Sequence, residues 1–123
     1  MLSSACSNSI SWTVRGTIKN LESFYVVKSK LIESTEKEEG TLQYEWYITG
    51  NKTEFMVVER YRDLAAAEIH NTTFGDNFAS EFLAACEIKG ISYAGELSEN
   101  LENTFKQLGA TFYEADGGLN RIL

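Results

Sequence analysis

The chain has one histidine, His70, in the stretch AAAEIHNTTFG. Imidazole is the side chain whose ordinary pKa best suits it to take up a proton near neutral pH. On spacing alone a lone histidine reads as structural or surface, with a catalytic base as the alternative. It heads a series of residues four apart, continued by Phe74, Phe78, Phe82 and Cys86. On a straight helix such a line drifts by about 40° per step and winds around the axis. The phenylalanines therefore read first as core, and alternatively as the apolar wall of a ligand cavity between helix and sheet. Glu59 is the second candidate. At a strand period of two it shares a side with Phe55, Val57 and Tyr61. A carboxylate on so apolar a side needs a partner, or its pKa rises. An ion pair to a neighbouring strand, for instance to Arg15, is one solution. A pocket acid, or an orienter for His70, is the other. Tyr44 and Trp46 carry a polar end on an aromatic body, suited to core, interface or a hydrogen bond to a substrate oxygen.

Other chemistries find little support. The chain has no CxxC, no HExxH and no second histidine, so no metal site is expected. Cys6 and Cys86 lie far apart and read as free thiols of a cytoplasmic protein. The net charge is −7 with scattered Lys and Arg, which disfavours a nucleic-acid partner. The longest apolar runs are too short for a membrane span, and MLSSACSNSI lacks the basic and apolar regions of a secretory signal. The charge run ESTEKEEG reads as a solvated helix end. With 123 residues, 43% hydrophobic and 24% charged, the chain suffices for one domain with its own core.

The elements that position these residues follow from periodicity. Residues 1–9 read as a polar leader. ISWTVRGTI alternates as a half-buried strand with Ile10, Trp12, Val14 and Ile18 on one face. Asn20 is then a helix N-cap, and Leu21, Phe24, Val27, Leu31 and Thr35 form the apolar stripe of a helix ending near Gly40. TLQYEWYI is a second strand, and Gly50-Asn51 signals a tight hairpin into EFMVVERY. That third strand is apolar on both faces at its centre, as in a sheet interior. Asp63 caps a helix, with a break or kink expected between Asn71 and Asp76 before FASEFLAAC resumes it. EIKGISYAGEL reads as a last strand. The order β-α-β-β-α-β predicts an α+β, ferredoxin-like antiparallel sheet with both helices on one face. Trp12, Tyr44, Trp46, Ile48, Phe55, Met56, Val57 and Val58 exceed what two helices can cover, so a homodimer is expected. Residues 98–123 add a helix capped by Ser98 and ended by Gly109, then an apolar tail expected to pack on the domain or a partner subunit.

Three segments, EEGTLQYEW, FMVVERYRDLAAAEIH and FASEF, together with the closing strand, resemble the antibiotic biosynthesis monooxygenase domain family, of the quinol-monooxygenase-like type. The matching features are Glu39-Gly40 opening the strand with Tyr44, the Glu59-x-Tyr61-x-Asp63 run, and His70 at the family's distance. The resemblance covers residues 10–97. It implies subunits that pair sheet to sheet into a dimeric α+β barrel. It also implies oxygenation of a small aromatic, quinol- or quinone-like molecule by O2, with no metal, flavin or haem as cofactor. On that reading His70 is the base, with Glu59 and Tyr44 as further catalytic candidates. Tyr44 and Asn71 are donors to the substrate oxygen, and Trp46, Phe74, Phe78 and Phe82 form the walls. Haem-degrading relatives resemble a pattern with a histidine near Phe82, which this chain lacks. Two alternatives stay open: an acid–base isomerase of a small carbonyl compound, or a dimeric ligand-binding domain without turnover. A phosphorylated substrate would need Arg15, Arg60 and Lys89 brought together.

Overall fold

The computed structural model describes residues 9–121. The expected leader, apart from Ser9, lies outside the described residues, as do Cys6, Ile122 and Leu123. In chain order the elements are β1 (Ile10–Ile18), α1 (Leu21–Thr35), β2 (Thr41–Ile48), β3 (Glu54–Tyr61), α2 (Leu64–Asn77), α3 (Ala79–Ala85), β4 (Cys86–Ala94), α4 (Glu99–Gln107) and β5 (Thr111–Tyr113). They build one sheet in the order β2-β3-β1-β4-β5. All neighbours are antiparallel except the β4–β5 pair. The first four strands are the expected ferredoxin-like arrangement, with β3 in the interior. β5 is an addition drawn from the apolar tail, and its Phe112 ring lies 5.7 Å from that of Tyr93. Farther along the tail Leu119 is 75% exposed.

Register decides which side chains share a face. Trp12 lies opposite Glu59 on β3 and Tyr93 on β4, and Glu59 in turn lies opposite Tyr44 on β2. Ile10, Val14, Phe55, Val57, Tyr61 and Ile91 complete this buried face. Phe24, Val27 and Leu31 of α1, Phe82 of α3, and Leu101 and Phe105 of α4 pack onto it. The third helical layer explains an overcount in the sequence reading. Trp12, Tyr44, Trp46, Phe55 and Val57 all turn inward: Tyr44 meets His70 of α2, Trp46 and Phe55 meet Phe24 of α1 and Phe82 of α3, and Phe105 of α4 covers Trp12. Met56 and Val58 remain on the outer face, opposite Tyr47 and Glu45 of β2, while Ile48 is exposed near the sheet edge. Glu68 of α2 holds α4 in place, accepting from Ser98 Oγ and Asn100 Nδ2 at 2.8 Å each.

Three local expectations are corrected. α1 stops at Thr35 rather than near Gly40, and residues 36–40 fold back as turns. Gly40 serves space rather than a left-handed turn, because a Cβ there would collide with the Ala66 Cβ at the start of α2. The hairpin is not a two-residue turn at Gly50-Asn51. Its loop runs from Thr49 to Thr53 with Lys52 at φ 60°, and Asn51 Oδ1 ties it by accepting from the Thr49 and Thr53 hydroxyls. Finally, the expected break or kink does not fall between Asn71 and Asp76. α2 continues through Gly75 to Asn77 and bends at Phe78, where the Phe78 N–H still bonds Phe74 O and the Phe82 N–H bonds Phe78 O. No helix among the described residues is long and apolar enough to cross a membrane.

Candidate active site

Asp63 starts α2 by accepting from the Ala66 N–H at 2.9 Å. From that cap Ala66, Ala67, His70 and Phe74 recur at helical spacing, and the first three are buried. Two alanines let the helix approach the sheet closely, so His70 is carried onto the row formed by Tyr44, Glu59 and Trp12. Its ring lies 5.2 Å from Tyr44, 5.1 Å from Tyr61 and 6.3 Å from Trp12. Behind it, between sheet and helices, is an apolar cavity of about 70 Å³. At about 10–15 Å³ of such space per water, that is room for a single small ring rather than an extended ligand.

The imidazole is held between two carboxylates. Nδ1 lies 2.9 Å from Glu38 Oε1, and Nε2 lies 3.4 Å from Glu59 Oε1. All three side chains are 10% exposed or less. The Tyr61 hydroxyl donates to Glu59 Oε1 at 2.6 Å, and the Thr41 hydroxyl donates to Glu38 Oε1 at 2.9 Å. Burial alone would push the His70 pKa down. The Glu38 hydrogen bond and the charges of Glu59 and Glu38 outweigh it, and the net shift is upward. Burial raises the Glu59 pKa. The His70 charge and hydrogen bonding from Tyr61 and Trp12 oppose this without cancelling it. Burial first, and the Glu59 charge second, drive both the Tyr44 and Tyr61 hydroxyls far above the phenol range. Both tyrosines are thus neutral donors near neutral pH, and Glu59 and His70 are the two groups facing each other with raised proton affinity.

The structure brings most of the expected site residues together. Tyr44, Trp46, Glu59, His70, Asn71, Phe74 and Phe82 all line the one cavity. Phe78 does not line it; it caps the α2–α3 junction and packs elsewhere on the core. Asn71 Nδ2 has only a long contact, 3.5 Å to Thr104 Oγ1. The Trp46 indole N–H is buried and faces the Tyr44 hydroxyl without closing a hydrogen bond to it. A buried donor left open costs about 1–3 kcal/mol, which an arriving acceptor would recover.

The suggested Glu59–Arg15 ion pair does not form. Arg15 lies opposite Met56, on the other face of the sheet from Glu59. Arg60 shares that outer face, where its Nη1 donates to Ser9 Oγ at 2.8 Å, and Lys89 pairs with Glu87 at 3.3 Å. The three cations therefore do not meet at the cavity. Glu38 overturns another expectation, since the charge run was read as wholly solvated. Glu36, Lys37 and Glu39 are exposed, but the fold-back after Thr35 turns Glu38 inward onto His70. Tyr61, Trp12 and Phe105 also belong to the site, Trp12 and Phe105 as cavity walls. Tyr61 was visible as the residue two beyond Glu59 on the same strand face. Among the described residues no group of three His, Cys, Asp or Glu side chains is arranged to hold a metal ion. Cys86 is a buried free thiol that burial pushes up to about 12.

No curated protein matches the sequence. Among solved structures, the fold is similar to MupZ from Pseudomonas fluorescens, with a TM-score of 0.80 and 23% identity over 94% of this chain and 91% of that one. It is also similar to SnoaB, a cofactor-independent oxygenase from Streptomyces nogalater, with a TM-score of 0.63 and 11% identity over 74% of this chain and 95% of that one. Rv0793 from Mycobacterium tuberculosis gives a TM-score of 0.62 and 18% identity over 74% and 97% of the respective chains. At these identities the likeness is one of fold. The sequence model described as "Antibiotic biosynthesis monooxygenase" matches residues 21–87, more than half of the chain and the stretch that runs from α1 through His70 to the start of β4. With that match, the chain belongs to the antibiotic biosynthesis monooxygenase family.

Proposed function

We propose that this chain is a monooxygenase that oxidises a small quinol-like phenol with molecular oxygen, using the Glu59–His70 pair as its base. The observation that carries this reading is a buried carboxylate–imidazole pair with raised proton affinity, opening on an apolar cavity sized for one ring. Triplet oxygen reacts slowly with closed-shell molecules unless the substrate gives up an electron, and a phenolate is a far better donor than a phenol. The pair takes the hydroxyl proton and holds it. The Trp46 N–H, the Asn71 amide and the Tyr44 hydroxyl are the donors available to the resulting oxyanion. Phe74, Phe82 and Phe105 keep water out, so the charge is not quenched by solvent. One electron passes to oxygen, the two radicals combine into a carbon–oxygen bond, and the stored proton returns to the outer oxygen. The O–O bond then breaks as the ring carbon loses its hydrogen. One oxygen atom stays on the ring as a carbonyl and the other leaves as water.

A reaction without metal, flavin or haem is part of the proposal. It is in keeping with SnoaB, described as a cofactor-independent oxygenase, which has the same fold. A phosphorylated isomerase substrate fits less well, because no Lys or Arg lines the cavity. We also propose that the outer sheet face, with Met56, Val58 and Tyr47, pairs with a second copy. Light scattering of the purified protein tests this, and a monomer at micromolar concentration would overturn it. Oxygen uptake with a panel of hydroquinones and naphthols tests the reaction. The expected result is one O2 consumed per quinone formed, with His70→Ala slower by about 10²- to 10⁴-fold. Isomerisation without oxygen uptake, or binding without turnover, would overturn it.

A further inference from the structure

Glu38 stands apart from the other charged groups at the site. Unlike Glu59 and His70 it does not line the cavity. It instead borders a second pocket of about 200 Å³, walled by Thr35, Thr41, Gln43 and Tyr44. Tyr44 lines both spaces. Glu38 therefore reaches His70 from behind, across the wall that separates the two.

The distances matter because a neutral imidazole carries one proton and must place it on one nitrogen. Glu59 by itself would draw that proton to Nε2, putting an N–H where the lone pair is needed. Glu38 competes for it at Nδ1 from 2.9 Å against the 3.4 Å of the Glu59 contact, so the shorter hydrogen bond lies on the side away from the cavity. We propose that Glu38 is a positioning residue: it holds the proton of His70 on Nδ1 and so keeps the Nε2 lone pair turned to Glu59 and the cavity. The inference rests on the acid–base reading of the site above, and assigns a part of it that touches no substrate. Gly40 and the fold-back after Thr35 gain a purpose from it. They bring the loop within reach of α2, so that a residue 32 positions earlier in the chain can orient His70. The other groups facing the ring are Glu59 and Tyr61 from β3 and Tyr44 from β2. β1 and α4 bring Trp12 and Phe105 to the same cavity, and neither titrates.

Because His70 is the only histidine, an untagged, 15N-labelled protein gives one pair of imidazole nitrogen signals, which report tautomer and protonation directly. In the neutral limb the wild type is expected to show the Nδ1–H form. In Glu38→Gln the amide oxygen still accepts from Nδ1, so the tautomer is kept while the titration midpoint falls for loss of the charge. In Glu38→Ala the midpoint also falls, and the signals move toward the Nε2–H form. With a quinol substrate kcat is expected to drop about 10-fold or more in the alanine variant, with KM little changed and partial recovery in the glutamine variant. A purely structural Glu38 would leave tautomer and midpoint unmoved in any folded variant, and that result overturns the proposal. If the alanine variant does not fold, an unchanged midpoint in the glutamine variant is sufficient to overturn it. A wild type that shows the predicted nitrogen signals but takes up no oxygen refutes the oxygenase reading and leaves the positioning role standing. Nitrogen signals that fail the prediction refute the positioning role whatever the turnover.

Discussion

A buried imidazole between two carboxylates makes the stability of this protein depend on pH in an unusual direction. An unfolded histidine loses its proton near pH 6.5, whereas His70 in the native chain holds it to higher pH. Between those two values the native state binds more protons than the unfolded state, so stability falls as pH rises. It is fully present below pH 6.5 and lost as pH climbs through the native pKa. Glu59 acts in the same sense, because burial raises its native pKa above the ordinary carboxylate range, and its contribution is lost as pH rises through that native value. The two titrate as a coupled unit. One proton of difference corresponds to a slope of up to about 1.4 kcal/mol per pH unit. With a urea m-value of about 1–3 kcal/mol/M, the unfolding midpoint should fall by about 0.5–1.4 M per pH unit at the steepest point. The assay is urea unfolding followed by tryptophan fluorescence from pH 6 to pH 9. Replacing His70 alone does not remove the effect, since Glu59 without its cation becomes still harder to ionise. The double variant His70→Gln/Glu59→Gln removes both groups and should flatten the slope between pH 6.5 and pH 8, below the range in which the thiol of Cys86 ionises in the unfolded chain. A wild-type midpoint that is level or rises from pH 6.5 to pH 8 would refute the reasoning.

Further perturbations test the scaffold around the pair. Phe82, 4% exposed and in ring contact with Trp46, Phe55 and Phe74, should cost about 3–5 kcal/mol of unfolding free energy when cut to alanine, read from urea midpoints. Gly40→Val places a branched side chain against the Ala66 Cβ and should destabilise by about 1–3 kcal/mol. The same variant should move the His70 nitrogen signals in the direction of Glu38→Ala; unchanged signals would show that the loop does not control the contact. Cys86, with its thiol held at about 12 and its Sγ donating to Phe82 O, should react with a disulfide reagent at pH 8 only as fast as the protein unfolds. A Cys6→Ser background isolates it, and rapid labelling of the native form would refute this.

Much of this arrangement is legible in the residues. Alternation in ISWTVRGTI and EFMVVERY sets the faces of β1 and β3, and Asp63 marks the start of α2, because these signals are local. The inward turn of Glu59 follows from strand parity alone. What parity cannot supply is register. Parity already puts Arg15 on the outward face of β1, away from Glu59; the pairing of Trp12 with Glu59, and of Glu59 with Tyr44, is what sets Glu59 beneath His70. Glu38 was misjudged for a similar reason. A glutamate in a run of charged residues is normally solvated, and the turn that buries this one depends on how closely Gly40 lets α2 approach. Gly75 misled in the opposite way. α2 tolerates it in its last turn, and the bend falls at Phe78, where the aromatic side chain packs against the core. The inward-facing aromatics looked too many because α4 was counted with the tail rather than with the layer that covers Trp12 and Tyr93.

The central claim is that the Glu59–His70 pair takes a proton from a phenol bound in the apolar cavity. A nitrophenol that resists oxidation reports this directly, since its phenolate absorbs at a longer wavelength than the neutral form. Titrated with protein at a pH below the free reporter's own pKa, it should show the phenolate band on binding. The band should be lost with His70→Gln/Glu59→Gln while the reporter still binds. A reporter that binds the wild type as the neutral phenol, and ionises in the cavity only above its solution pKa, would contradict the account.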